Sequence, residues 1–142
     1  MTYKELLNFS KEMREHNDCA VKAVTLVTGI HYVDVHGMME RLGRKRRKGT
    51  PDWITKEVLS QLGFMRIIIP VTAKTVRTLG RDFHKRKGTY LVWVRGHVLA
   101  MIDGVVQDWT DNRLHRIRRV ELVVSKYDKG WHKVWALQVA AK

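Results

Sequence analysis

The chain has 142 residues, of which 44% are apolar, a length that suits one compact domain over residues 1–142 and a composition that argues against disorder. Its single cysteine excludes an intrachain disulfide and any zinc site that needs two or more cysteines, and a free thiol suits a reducing compartment. Because 27 Lys and Arg face 14 Asp and Glu, the net charge is +13, which attracts polyanions through salt-dependent forces.

The sequence lacks the marks of a membrane or secreted protein. No apolar run approaches the roughly 18 residues needed to cross a bilayer. The N-terminal residues, Met1 to Leu7, lack the basic-then-apolar layout of a signal peptide. We therefore expect a soluble protein of the cytoplasm, with no membrane partner, no metal and no other cofactor.

In the first half of the chain the apolar residues recur at helical spacing. Four helices are predicted, at Tyr3 to about Glu15, Asp18 to Thr28, Val33 to Leu42 and Pro51 to about Leu62. Asp18 and Thr50 are the expected N-caps of the second and fourth helices, and Gly29 is the expected C-cap of the second.

After Gly63 the pattern changes to short β-branched and apolar runs, which are typical of strands. Strands are predicted at Phe64 to Ile69, Thr89 to Arg95, His97 to Ile102, Val105 to Trp109, Arg116 to Val124 and Trp131 to Val139, and a short helix at Thr72 to Leu79. This order predicts an α+β fold in which N-terminal helices pack on a C-terminal antiparallel sheet.

Cys19 lies at the predicted start of the second helix, directly after two polar residues that suit a helix cap. Backbone N–H groups and the helix dipole at such a position stabilise a thiolate, which is the reactive form of cysteine. His97 begins a later strand, and Asp108 lies in the strand after that. A single cysteine with a distant histidine and aspartate is typical of a nucleophile, its base and the group that orients the base.

The hairpin between these two strands predicts how close His97 and Asp108 lie. If Asp103 and Gly104 form a two-residue turn, Asp108 pairs with Leu99 and lies diagonal to His97 on the same face. The Asp108 carboxylate is then expected within reach of Nδ1 of the ring. His16 is the alternative base, and the alternative orienting residues are Asp103, Asp111 and Asn112.

The order of cysteine, histidine and aspartate, with the cysteine on an early helix, resembles that of the papain-like cysteine peptidases. Two motifs, Asn17-Asp18-Cys19-Ala20-Val21 and Gly96-His97-Val98 followed by Asp108-Trp109, are most similar to small peptidase C39-like proteins, many of them phage-encoded. The likeness in topology covers nearly the whole chain, and only these motifs match closely. It implies a papain-like domain with Cys19 as nucleophile, His97 as base and Asp108 as orienting residue, and with Trp109 shielding the His–Asp hydrogen bond from water.

The chain departs from the resembled enzymes at the oxyanion donor. Papain-like and C39 enzymes usually carry a glutamine about six residues before the nucleophile, and Met13 stands at that position here. The candidates that could replace this donor are Asn17, the backbone N–H of Cys19 and, more distantly, Gln107.

Basic residues are concentrated in three runs, Arg44 to Lys48, Arg81 to Lys87 and Arg113 to Arg119. Such runs usually form solvated loops. The alternative is a polyanion-binding surface beside the Trp-rich C-terminal segment, with the candidate residues Arg44, Lys45, Arg46, Arg47, Lys48, Arg116, Arg118 and Arg119. Because the sequence carries no RNA-recognition motif, helix-turn-helix signature or zinc finger, loose nucleic-acid association is expected rather than specific recognition.

Two functions of different classes follow. The first is a cysteine hydrolase, a peptidase or an isopeptidase/amidase, that acts on a protein or peptide substrate with acidic groups. The alternative is a catalytically silent basic module that binds nucleic acid or an acidic host protein. Acyl transfer by the same three residues is a third interpretation. If the protein is phage-encoded, it acts in the cytoplasm of a bacterial host cell.

Overall fold

A computed structural model describes residues 1–110 and 113–128. In chain order its elements are α1 (Tyr3–Glu12), α2 (Cys19–Thr28), α3 (Tyr32–Arg41), α4 (Asp52–Gln61), β1 (Phe64–Ile69), α5 (Val76–Asp82), β2 (Thr89–Val94), β3 (His97–Ile102), β4 (Val105–Gln107) and β5 (Ile117–Ser125). The predicted α+β class is confirmed. The predicted strand from Trp131 to Val139 lies outside the described residues, as do Asp111 and Asn112.

The five described strands form one antiparallel sheet in the order β1-β5-β2-β3-β4. Both of its faces are covered by helices. On one face α2 packs over β3 and joins a core that includes Leu91, Val98, Ala100 and Val123. On the other face α5 packs against the alternate strand residues, Tyr90, Val92, Leu99 and Met101. Because side chains alternate along a strand and both faces are buried, these runs are continuously apolar in the sequence.

The hairpin between β3 and β4 has the predicted register, with Ala100 opposite Gln107. Asp103 and Gly104 both have positive φ, at 51° and 81°, as a two-residue type I′ turn requires. The turn is also attached to the chain before β2. Asp103 N–H donates to the Gly88 carbonyl at 2.8 Å, and Gly88 N–H donates to the Asp103 carboxylate at 3.0 Å. The register that brings His97 and Asp108 together therefore follows from this turn.

Two predicted helix caps are wrong in detail. Asp18 occupies the N-cap position of α2, but its side chain makes no capping hydrogen bond. At α4 the cap position belongs to Pro51 rather than Thr50, and the Thr50 hydroxyl instead lies 3.9 Å from the Met39 sulfur. The predicted C-cap of α2 is confirmed, because Gly29 has the left-handed conformation with φ 75°.

Helix boundaries also differ from prediction, most of all at the end of the first helix and at both ends of α5. The first helix ends at Glu12 because the chain turns at Arg14, which has φ 53°. The short helix α5 begins at Val76, where the Thr75 hydroxyl accepts a hydrogen bond from Thr78 N–H at 3.2 Å. In the part of the chain that the structure describes, no helix has the length and apolar character that crossing a bilayer requires.

Candidate active site

Cys19 is the first residue of α2 and is partly buried where that helix packs over β3. Burial raises the pKa of the Cys19 thiol. Hydrogen bonds from the His97 ring and from the Val98 backbone N–H, with the positive charge of His97, outweigh that effect and lower the pKa below its usual value. The backbone N–H of Ala20 also faces the sulfur. The expected thiolate environment at the helix start is therefore supplied mostly by the sheet.

His97 lies between Cys19 and Asp108. Its Nε2 is 2.7 Å from the Asp108 Oδ2, which leaves Nδ1 as the ring nitrogen available to the thiol. The predicted approach of these two residues is confirmed, but the expected contact through Nδ1 is wrong, because register does not determine the ring rotamer. Burial lowers the pKa of His97, but the hydrogen bonds with Asp108 and Cys19 more than compensate and raise it to about 9.

These directions have a joint consequence for the charge state of the site. A lowered pKa at Cys19 and a raised pKa at His97 both favour a thiolate beside an imidazolium near neutral pH. Only 15% of the His97 side chain and 6% of the Asp108 side chain are exposed, so water screens the charge pair of His97 and Asp108 weakly. These interactions therefore favour the ionised form of the Cys19 thiol.

Thr110 holds the same Asp108 carboxylate oxygen that His97 contacts. The Thr110 hydroxyl and backbone N–H both donate to Asp108 Oδ2, at 2.6 and 3.1 Å. Burial raises the pKa of Asp108, but the hydrogen bonds from His97 and Thr110 outweigh that effect and lower it. Sequence reasoning missed Thr110, although an aspartate two residues before a threonine is a local hydrogen-bonding pattern that could have indicated it.

Trp109 lies against the imidazole, with its ring centroid 5.6 Å from that of His97. The indole also forms a T-shaped pair with the His115 ring, with 5.4 Å between the ring centroids, while 57% of Trp109 stays exposed. That Trp109 shields the His–Asp hydrogen bond from water, as the family resemblance implies, stays a prediction. Neither His115 nor its contact with Trp109 was anticipated from the sequence.

A cavity of about 880 Å³ opens in front of Cys19. Residues from six separate segments form its walls: Tyr3, Asn17, Asp18, Cys19, Ala20, Lys22, Gly49, Thr50, Pro51, Trp93, Val94, Arg95, Gly96, His97, Val98, Asp108, Trp109 and His115. A cavity of this size, with a nucleophile on its wall, has room for several residues of an extended chain.

The two side chains proposed as oxyanion donors have different positions. Asn17 lines the cavity with φ 55°, and its Nδ2 donates to the Arg47 carbonyl at 3.2 Å, so this amide holds the neighbouring loop. Gln107 lies on β4 opposite Ala100 and is not among the residues that line the cavity. The backbone N–H of Cys19 has no acceptor inside α2, because Cys19 is the first residue of that helix.

The alternative base, His16, is exposed and does not line the cavity. Met13, at the position of the usual glutamine, packs against the core under the helices. Asp18 accepts a hydrogen bond from the Tyr32 hydroxyl at 2.6 Å and pairs with Lys22 at 3.1 Å. Its carboxylate therefore ties the start of α2 to α3 instead of capping α2.

The first basic run is not the uniform cationic surface that was proposed. Arg44 is buried and pairs with the buried Glu15 at 2.7 Å. Glu15 also contacts His36 Nε2 at 2.5 Å and accepts from the Arg47 backbone N–H at 2.7 Å. Burial raises the pKa of Glu15, but these partners outweigh burial and lower it to about 2. Arg44 is therefore wrong as a polyanion-binding residue, because its guanidinium neutralises a buried carboxylate.

Some of the remaining basic candidates are exposed to solvent, and others interact with groups of the protein itself. Lys45, Arg46, Arg47 and Lys48 are exposed, as are Arg116 and Arg118. The Arg47 Nε nevertheless donates to the Arg14 carbonyl at 2.9 Å. Arg119 pairs with Asp52 at 2.9 Å, and its guanidinium lies 4.4 Å from the centroid of the Trp93 ring. Its positive charge therefore already has partners within the protein.

Comparison with protein-family models, with curated proteins and with solved structures finds no match to this chain. Within residues 1–110 and 113–128 there is no group of three or more His, Cys, Asp or Glu side chains arranged to hold a metal ion. The function is therefore inferred from the geometry around Cys19.

Proposed function

We propose that this protein is a papain-like cysteine hydrolase that cleaves an amide bond in a protein or peptide. The observation that supports it is the position of His97 between Cys19 and Asp108 on the wall of a large cavity, with Nε2 of its ring 2.7 Å from the Asp108 carboxylate. Nucleophile, base and orienting group are in contact in the order that covalent catalysis by cysteine needs.

The reaction follows from these positions. The Cys19 thiolate attacks the carbonyl carbon, and the electron pair of the C=O bond moves to oxygen, where the Cys19 backbone N–H stabilises it. When this intermediate collapses, His97 gives its proton to the leaving amine, and an acyl thioester remains on Cys19. His97 then removes a proton from water, which attacks the thioester and releases the acid. Throughout, Asp108 keeps the ring oriented.

A positive charge on the cavity wall favours a substrate with acidic groups. Arg95 is exposed in the turn between β2 and β3 and lines the cavity next to the catalytic histidine. The chain as a whole carries a charge of +13, which attracts acidic chains at low ionic strength. A carboxylate near the scissile bond would meet Arg95 on binding.

Alkylation of the thiol tests the proposal without knowledge of the substrate. Iodoacetamide labelling of Cys19, followed by intact mass across pH 5–10, reports the thiolate directly. We expect fast labelling below pH 7, and we expect His97→Ala to lose it, because the hydrogen bond and charge of His97 no longer offset the burial that raises the thiol pKa. His16→Ala removes an exposed histidine near the same segment and serves as the matched control. A wild-type profile centred near an ordinary thiol pKa of about 8.5 would refute the proposal.

The second candidate function is binding of nucleic acid by a catalytically silent module. It is supported by the exposed side chains of Lys45, Arg46, Lys48, Arg116 and Arg118. Gel shifts of a short RNA at two salt concentrations test it, since phosphate contacts weaken steeply with salt. Retention of RNA by Cys19→Ala, together with an ordinary thiol in the wild type, would favour this function over hydrolysis.

A further inference from the structure

Tyr3 is an unassigned polar group inside the catalytic cavity. It is the first residue of α1, and it lines the cavity with Cys19, Asp108 and Trp109. The helix does not need it as a cap, because the Thr2 hydroxyl accepts from Glu5 N–H at 3.2 Å. Capping of α1 therefore does not explain why the Tyr3 phenol lies in the cavity, and we look for its role in the chemistry at Cys19.

The Tyr3 hydroxyl has a donor on one side and an open side toward the cavity. The Trp109 backbone N–H faces its oxygen. Across residues 1–110 and 113–128, no side-chain acceptor for the Tyr3 O–H is found among the hydrogen bonds of the cavity walls. A phenol held in this way presents its proton to whatever occupies the cavity.

Within residues 1–110 and 113–128, one donor for the oxyanion has been identified so far. The Cys19 backbone N–H supplies the first, and acyl-transfer sites normally provide a second. The usual glutamine position is filled by Met13, which packs in the core, and Gln107 lies away from the cavity. Asn17 holds the Arg47 carbonyl with its amide. Tyr3 is a further neutral donor on the cavity wall, and it offers an O–H group.

We infer that Tyr3 is the second oxyanion donor and that its hydroxyl takes the place of the missing glutamine amide. The inference rests on the proposed hydrolase function. When the Cys19 sulfur bonds to the carbonyl carbon and the π electron pair moves to oxygen, Tyr3 donates a hydrogen bond to that oxygen and keeps its proton. Burial and the negative charge of Asp108 raise the pKa of Tyr3 to about 12, so the phenol stays protonated across the working range of the thiolate.

Two reagents separate this role from a structural one. p-Nitrophenyl acetate acylates a thiolate through a tetrahedral oxyanion and releases p-nitrophenolate, whereas iodoacetamide alkylates it by displacement of iodide without an oxyanion. For Tyr3→Phe we expect the acylation rate to fall on the order of 10²-fold, as for loss of one oxyanion donor, with alkylation unchanged. Tyr127→Phe, at a tyrosine that is 85% exposed, should leave both rates as in the wild type.

The outcomes are distinguishable. If both rates fall together in Tyr3→Phe, Tyr3 maintains the thiolate or the fold and the inference is overturned. If Tyr3→Phe acylates like the wild type, the inference fails while the hydrolase proposal stands. If the wild type shows neither acylation of Cys19 nor alkylation below pH 7, the proposed function fails first. A selective loss of acylation supports the assignment.

Discussion

The Asp108 carboxylate should control the ionisation of the nucleophile, which Asp108→Asn tests. In the native site the pKa of His97 rises from its ordinary 6.5 to about 9. That rise corresponds to roughly 3 kcal/mol in favour of the imidazolium. Asp108 contributes the larger share, through its hydrogen bond to the ring and its negative charge. The amide keeps the shape of the side chain and removes its charge.

We therefore expect Asp108→Asn to weaken the thiolate–imidazolium pair by roughly 1.5–2 kcal/mol, which is at least a tenfold loss of thiolate. The assay is iodoacetamide alkylation of Cys19 as a function of pH. At pH 7 the rate should fall about tenfold, and the midpoint of the profile should rise by about one pH unit. Above pH 10, where a thiol ionises without help, the two proteins should react at similar rates.

The control for this experiment is Asp82→Asn, the same change at an exposed carboxylate at the end of α5, the helix on the other face of the sheet. It should reproduce the wild-type profile. An Asp108→Asn profile that superimposes on the wild type would refute the reasoning, since the carboxylate at 2.7 Å from Nε2 would then have no effect on the charge of the ring.

Two further predictions concern groups that support the site. Thr110→Val removes the 2.6 Å hydrogen bond to the Asp108 carboxylate and should destabilise the fold by about 1.5–3 kcal/mol in urea unfolding, as for hydrogen bonds to charged groups. Because the pKa of Asp108 is lowered in the fold, this contribution is present above its ordinary 3.8 and is lost as the pH falls further. Glu15→Gln leaves the buried Arg44 without its counter-charge and should cost about 3–5 kcal/mol, measured in the same way.

Each of these predictions has a matched control. Thr55→Val removes a fully buried hydroxyl that has no hydrogen-bond partner among the described residues, so it should be neutral or stabilising. Glu12→Gln changes an exposed carboxylate near Glu15 and should stay within about 0.5 kcal/mol of the wild type. Equal costs for Thr110→Val and Thr55→Val, or for the two glutamate variants, would contradict the interpretation of the contacts.

Much of the site could be predicted because it depends on local rules. Helix starts have recognisable residues, and a helix start before an apolar run places Cys19 correctly. The Asp103-Gly104 turn needs two positive φ values, and a two-residue turn determines the register of both strands. The approach of His97 to Asp108 follows from these rules alone. Caps were less predictable, because a polar side chain beside a helix can take a distant partner instead.

The sequence by itself therefore determined the α+β layout, the hairpin and the candidate triad, since each depends on neighbours along the chain. The tertiary structure decided which polar groups meet across long separations. Arg44 looks like its basic neighbours in sequence, yet Glu15, 29 positions away, makes it a buried ion-pair partner. Packing between α1, α2 and the sheet decides the ring rotamer of His97 in the same way. It also decides that Tyr3 lies on the cavity wall. No local pattern encodes these contacts, because burial and charge compensation are properties of the assembled core.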